Sequence, residues 1–491
     1  MSLGFGASCG NTGSGTTNGG VLSQLVATGA CDSHLTANPT TTFWRARVQK
    51  HTNYAYESIL QTFTGNIGFG SSANVTLNRT GDLIYWMYVI IDLPGIAAIA
   101  QPSDNTLLRR STKCGLLGTG GQCTYPWASA CNPCDDVPDC NKCDEINDPF
   151  GDDTADEFND FEDIDGCTGL QTPYCNWVNE IGHAAIAQAQ FSIGGQHIDT
   201  LYSHYLHMWE ELSGQPGKRL EEMIGKRMTR AQLVADSSAD RRLYVPLPFY
   251  FTRHSGNALP LVSLQFHSVQ VSVSLTPLTK LIQVSGCDVT VVRCSTGQPI
   301  TPQDVQCQLD TSYIYLDMEE RDRFAVGSFQ QLITQVQQFG SSFKQDSINC
   351  QLNFNHPCIE LIWAAQRKCM FDANETFNYS GPNNTDMFRC CTLKVNNLTR
   401  FNREGQYFRL VVPYQVHTDI PKNFIYNYSF ALQPESCQPS GSLNFSRIDN
   451  VDFQGLLRDG VAENGVNFII FARNWNVLRF KEGLGGLLYS N

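Results

Sequence analysis

The stretch Ala187-Gln188-Ala189-Gln190-Phe191-Ser192-Ile193 alternates apolar and polar side chains, the two-residue period of a strand with one buried face. Gly194-Gly195 ends it. Downstream, Val269, Val271, Val273 and Leu275 alternate with Gln270, Ser272 and Ser274 in the same way. Between the two, Ile198, Leu201, Tyr205, Met208, Trp209 and Leu212 fall at helical spacing, with Asp199 placed to cap. Two clean strands around a short amphipathic helix read as a β-sandwich, and nothing in the stretch has the pattern of an active site.

Working outward, a chain of 491 residues is too long for one sandwich and suits two domains of about 200 residues each. Charged residues are only 16% and aromatics 11%, which favours strands joined by long loops. The most apolar run, Ile84 to Ala100, contains Asp92 and Pro94, so it reads as a buried strand rather than a membrane span. No basic segment followed by an apolar one opens the chain, so no secretory leader is expected. The start is rich in Gly, Ser and Thr and reads as a flexible arm over 1–42.

Further strands are expected at Phe63–Phe69, around Val75 and Leu77, at Asp82–Pro94, Cys358–Ala365, Phe388–Val395, Tyr407–Val416, Phe424–Leu432, Ser442–Ile448 and Phe468–Phe480. The first sandwich then spans 43–280, a Thr-, Pro- and Gly-rich connection spans 281–308, and a second sandwich spans 309–491, opened by Tyr313–Asp317.

The charge is concentrated. Between Cys131 and Cys167 lie fourteen acidic residues and one base, Lys142, a balance of −13 that equals the net charge of the whole chain. Such a run reads as a solvated insertion, over 102–173. An EF-hand loop needs Asp first, and the Asp163-Ile164-Asp165-Gly166 tail would put Phe161 there. Acidity also argues against nucleic acid as a direct partner.

Nineteen cysteines are many for a chain in which no secretory leader is expected. Cys131, Cys134, Cys140 and Cys143 make two CxxC pairs, and four thiolates can close a tetrahedron around a structural zinc. The spacer is short for a zinc ribbon, and oxidised pairs need no metal, so zinc, disulfides and free thiols all stay open. The scattered cysteines, such as Cys287, Cys294 and Cys307, read as small buried hydrophobes. His204, His207 and Glu211 could share one helix face and hold a metal; exposed polar residues of an amphipathic helix are the commoner explanation. Eight glycosylation sequons occur, at Asn74, Asn78, Asn374, Asn378, Asn383, Asn397, Asn427 and Asn444. Dinucleotide and phosphate-loop fingerprints are incomplete, no nucleophile elbow is present, and no catalytic residue is assigned.

Several spellings point to one family. They include Trp177-Val178-Asn179-Glu180-Ile181-Gly182-His183-Ala184, Ile193-Gly194-Gly195-Gln196, Leu264-Gln265-Phe266-His267 and Tyr313-Ile314-Tyr315-Leu316-Asp317. Others are Asn444-Phe445-Ser446-Arg447-Ile448-Asp449-Asn450 and the closing Gly485-Gly486-Leu487 with Tyr489-Ser490-Asn491. In order, and from about residue 43 to the end, the chain resembles the major capsid proteins of nucleocytoplasmic large DNA viruses. The resemblance implies an all-β fold of two consecutive eight-stranded jelly rolls, with long loop insertions and a few short helices. It implies a structural, non-enzymatic role: homotrimers forming pseudo-hexagonal capsomers that tile an icosahedral shell. Minor capsid and penton proteins and an internal membrane would be neighbours, and assembly would take place in the host cytoplasm. The acidic insertion would fall between the fourth and fifth strands of the first roll and face outward. The alternatives are a β-sandwich module that binds glycans or a receptor, or a jelly-roll enzyme such as a cupin or glycosidase. A cupin would need closely spaced His ligands on a strand, whereas His204 and His207 lie on an expected helix.

Overall fold

A computed structural model describes residues 50–100, 174–285 and 289–489, save 66, 463 and 464, together with parts of 19–44. The acidic insertion, the four CxxC cysteines and Cys287 lie outside the described residues. The chain divides into two compact units, Met1–Thr52 and Asn53–Asn491. In the first, a helix Gly19–Val26 (α1) stands where a flexible arm was expected; Leu22, Leu25 and Val26 recur in it at three- and four-residue spacing.

The second unit contains sixteen principal strands in two sets of eight. The first set is β1 (Tyr54–Thr62), β2 (Ser72–Thr76), β3 (Leu83–Leu93), β4 (Ile186–Ile193), β5 (Gln196–Tyr202), β6 (Arg241–Pro246), β7 (Val269–Leu275) and β8 (Gln306–Leu316). The second is β9 (Phe329–Phe343), β10 (Ser347–Gln351), β11 (Pro357–Arg367), β12 (Phe388–Val395), β13 (Leu398–Glu404), β14 (Tyr426–Ser429), β15 (Val451–Leu457) and β16 (Val466–Lys481). In the first set the sheets run β1-β8-β3-β6 and β2-β7-β4-β5. In the second they run β9-β16-β11-β14 and β10-β15-β12-β13, the same order with every strand number raised by eight. Each set is a two-sheet jelly roll, and the chain carries the same topology twice.

The deciding stretch sits where its alternation requires. Phe191 of β4 and Val75 of β2 both pair with Val271 of β7, and all three side chains are buried. Burial of each contributes about 1.5–3 kcal/mol. Gly194 makes the β4–β5 turn at φ +57, with the His267 ring packed where a Cβ would stand.

Five expectations need correction. Tyr313–Asp317 does not open the second roll: β8 lies between β1 and β3, so the strand that closes the first roll comes last in sequence, and the second begins with β9. The connection 281–308 is itself structured, with Ile282–Ser285 pairing with Tyr174–Trp177 and Val289–Arg293 pairing with Ile96–Ala100. Residues 102–173 fall between the short strands Ile96–Ala100 and Tyr174–Trp177, the fourth and fifth in chain order, as expected. Phe63–Phe69 is a loop after β1, held by the isolated pairing of Thr64 with Asn74. Tyr407–Val416 is helical: Phe408 and Val412, four residues apart and so on one helix face, both enter the core of the second roll. Ser442–Ile448 gives only the two-residue strand Leu443–Asn444 followed by a tight turn.

The two rolls share a core. β11 is buried on both faces. Its Leu361, Trp363 and Ala365 face the core of the second roll, while Ile362 and Ala364 join the core that continues into the first. Phe471 of β16 packs edge-on against Tyr205, 5.6 Å between ring centres. The backbone N–H of Val336 donates to Asp199 Oδ1 at 2.9 Å, and the Gln335 amide donates to the carbonyl of Ile198. Asp199 therefore does not cap a helix: residues 196–202 are strand, and its carboxylate joins the rolls. Burial raises its pKa to about 7, against the two backbone donors.

Candidate functional site

Two buried ion networks lie beside the seam between the rolls, and both are reached from one helix, α3 (Ser203–Ser213). Tyr205, Leu206, His207, Met208, Glu211 and Leu212 are all buried on it, so His207 and Glu211 are not the solvated polar face that their composition suggested.

The first network centres on Glu180, which precedes a one-turn helix, α2 (Ile181–Ala185). Gly182 lets α2 lie against Glu221–Ile224, since a Cβ there would stand 2.9 Å from the Ile224 Cα. The Lys226 ammonium bridges Glu180 Oε1 at 2.6 Å and Glu211 Oε1 at 2.5 Å. Glu180 Oε2 lies 2.7 Å from His207 Nδ1, and His207 Nε2 lies 2.9 Å from the Asn423 amide of the second roll. The His207 ring stacks on Phe377 at 4.4 Å. Burial alone would raise the pKa of Glu180, but His207 and Lys226 hold it well below the ordinary carboxylate range. Glu211 is depressed by Lys226 in the same way, against its own burial. His204 stands apart from this cluster and meets the Tyr379 hydroxyl at 2.8 Å; burial pulls its pKa down to about 4. The three residues proposed to share one metal-binding face therefore do not converge: Glu211 turns to Lys226 and His204 to Tyr379.

The second network is in the second roll. Glu360 of β11 lies 3.2 Å from Arg473 of β16 and 2.9 Å from His417 Nε2, while His417 Nδ1 reaches Glu435 at 2.8 Å. Against burial, Arg473 and His417 hold Glu360 at about 2. Against burial, the two carboxylates raise His417 to about 9. Trp209 of α3 is clamped between guanidiniums, with Arg253 4.2 Å and Arg473 4.5 Å from its ring centre. These charges are spent on one another. Oppositely charged groups locked in pairs at the seam of two domains fix a relative placement; they are not poised for proton transfer to a substrate.

The sequons sort by burial. Asn374 is buried, and its amide donates to the carbonyls of Thr279 and Ile282, both at 2.8 Å. Asn427 is fully buried and donates to Glu360 Oε2 at 3.0 Å. Neither amide is accessible on the folded chain. Asn378 is half-buried, its Oδ1 accepting from Ser380. Asn74, Asn78, Asn383, Asn397 and Asn444 are exposed. Among the described residues nine cysteines are free thiols. Cys175 and Cys307 are buried hydrophobes whose thiols burial pushes up to about 12; Cys294, expected to be buried, is exposed.

Sequence reasoning missed Glu180, Lys226, Glu360, Arg473 and His417 as site residues. Glu180 and His183 lie inside one of the quoted spellings; the others carry no local signal.

Comparison with known proteins decides the family. Residues 42–107 and 154–317 match the major capsid protein N-terminus model, and residues 320–486 match the large eukaryotic DNA virus major capsid protein model. The major capsid protein of Pyramimonas orientalis virus is 31% identical over 96% of this chain and all of that protein. The chain belongs to this family. The major capsid protein of Phaeocystis pouchetii virus is 30% identical, and that of Paramecium bursaria Chlorella virus 1 is 29% identical, each over 96% of the chain and the whole relative. Among solved structures, the quasi-atomic model of the PBCV-1 virus capsid aligns with a TM-score of 0.65 at 24% identity, over 92% of this chain and all of that one. The Faustovirus major capsid protein aligns at 0.65 and 11% identity, over 94% and 96%. The double jelly roll is thus the fold of the family. This major capsid protein is a structural component of the virion shell of a large DNA virus and, like its relatives, is not an enzyme.

Proposed function

We propose that three copies of the chain close into a ring, in which the helical segment Tyr407–Val416 of one copy docks on the outer face of the β1-β8-β3-β6 sheet of the next. One observation carries this reading. Within the chain, α3 follows β5 and packs on the outer face of β9-β16-β11-β14 through Tyr205 and Trp209. By the eightfold offset, Tyr407–Val416 follows β13 and is the counterpart of α3, and it exposes Leu410, Val411 and Tyr414. The counterpart of the covered sheet is β1-β8-β3-β6, whose outer face exposes Tyr56, Leu60, Trp86 and Tyr244. Cross-strand pairing puts these on one surface, with Tyr244 beside Ile90, Tyr56 beside Ile314 and Leu60 beside Asp310. A soluble monomer rarely leaves so many aromatics together in the open, and aromatic side chains at the centre of an interface carry most of its energy.

An interface between two different patches generates a ring when the rotation closes. Three chains bring six similar rolls, so the ring has a nearly six-fold outline and can tile an icosahedral shell as a capsomer. Minor capsid and penton proteins at the tile edges, an internal membrane beneath and assembly in the host cytoplasm belong to the same reading. The test is Tyr414→Glu. The variant should fold with an unchanged melting temperature and run as a monomer; a stable trimer would overturn the assignment of this helix.

A further inference from the structure

We propose that Glu180, His183 and His207 form a structural site for a divalent metal ion of the zinc class, buried in the first roll beside the seam. Among the described residues these are the three side chains grouped as a metal would require: one carboxylate oxygen and two imidazole nitrogens, all within 4.8 Å of one another and all buried. Nitrogen and oxygen donors of this kind suit zinc and its neighbours in the first transition row.

Three further features point the same way. His183 Nδ1 is buried without a hydrogen-bond partner and lies 3.6 Å from Glu180 Oε2, too long for a hydrogen bond. A buried ring nitrogen left unmatched is costly, and a metal bond would satisfy it. Glu180 itself holds a left-handed backbone, φ +53, where a non-glycine residue is strained; such strain gathers at ligand clamps. Two groups hold the donors in place: Lys226 on the other oxygen of Glu180, and Phe377 stacked on the His207 ring.

The two separations from Glu180 each need a shift of less than about 1 Å. A tetrahedral ion with bonds of about 2.0–2.1 Å holds its ligand atoms about 3.3 Å apart. The Glu180–His207 separation must open from 2.7 Å and the Glu180–His183 separation close from 3.6 Å. On binding, Glu180 Oε2 and the two Nδ1 atoms each give a lone pair to the ion. Any proton shared between His207 Nδ1 and Glu180 is released to solvent on binding.

The experiment uses the full chain with Cys131, Cys134, Cys140 and Cys143 replaced by Ser, so that no thiolate of the CxxC pairs can supply the signal. The protein is stripped with chelator under mild denaturation and refolded with zinc alone, or with cobalt(II) as a coloured probe. One zinc per chain should survive gel filtration, cobalt should give visible bands without a thiolate charge-transfer band, and zinc should raise the melting temperature. His183→Gln should lose all three while its zinc-free melting temperature stays close to that of the parent. No retained zinc in the parent, or equal retention in His183→Gln, would overturn the site. Should His183→Gln fail to fold, the parent alone decides: cobalt bands of a nitrogen and oxygen site support the proposal, and their absence refutes it.

Discussion

The sheets β1-β8-β3-β6 and β9-β16-β11-β14 have the same strand order and opposite surroundings. β11 is buried on both faces and reads as a nearly continuous apolar run, Cys358-Ile359-Glu360-Leu361-Ile362-Trp363-Ala364-Ala365. Its counterpart β3 is equally apolar, Leu83-Ile84-Tyr85-Trp86-Met87-Tyr88-Val89-Ile90-Ile91, yet Trp86 remains 43% exposed. A strand written for burial on two faces but covered on one marks a surface still to be covered. On the proposed ring, the sequence of β3 describes the assembled state, whereas that of β11 describes the single chain.

The largest effects should come from breaking what the single chain buries, its covered face and its core. Phe471→Ala removes a ring that meets Tyr202 and Tyr205 across the seam and should destabilise the isolated chain by about 3–5 kcal/mol, read by urea unfolding. Val271→Asp, at a fully buried position, should abolish soluble expression, since an unpaired buried charge costs more than a domain can spare. On the open face, Trp86→Glu should change chain stability by less than about 0.5 kcal/mol and abolish trimer formation. Native mass spectrometry beside a thermal melt separates the two; a large stability loss would mean that this face is covered within the chain.

A graded effect concerns pH. His417 is raised from 6.5 to about 9, so its contribution is complete below 6.5 and is lost as pH rises through about 9. Glu360 is lowered from 4.5 to about 2, so its contribution is complete above 4.5 and fails only as pH falls through about 2. The melting temperature should therefore fall as pH rises from 7 to 9, by at most about 1.4 kcal/mol of stability per pH unit, and His417→Gln should flatten that slope. An unchanged slope would show that another group governs this window.

Much of the fold was legible. Strands with one wet face, such as β4 and β7, announce themselves by alternation, and β3 and β11 by apolar runs. The helix Tyr407–Val416 was not legible, because Tyr, Phe and Val favour strands and only the packing of Phe408 with Val412 reverses that preference. The place of β8 was hidden for another reason: a jelly roll pairs its first and last strands, and no local pattern records a partner some 250 residues away. The candidate site was half visible. His207 and Glu211 stood out on one helix, but their partners Glu180, Lys226 and Asn423 come from three other segments, and only tertiary structure brings them together.

The most direct test of the central claim is the native mass of the purified chain, by light scattering after size exclusion. One chain is 54.6 kDa, so a ring of three, 3 × 54.6, would be about 164 kDa. A stable species at that mass, converted to monomer by Trp86→Glu and by Tyr414→Glu alike, is the expected result. A wild-type chain that stays monomeric at every concentration would contradict it, and the open face of β3 would then need another partner.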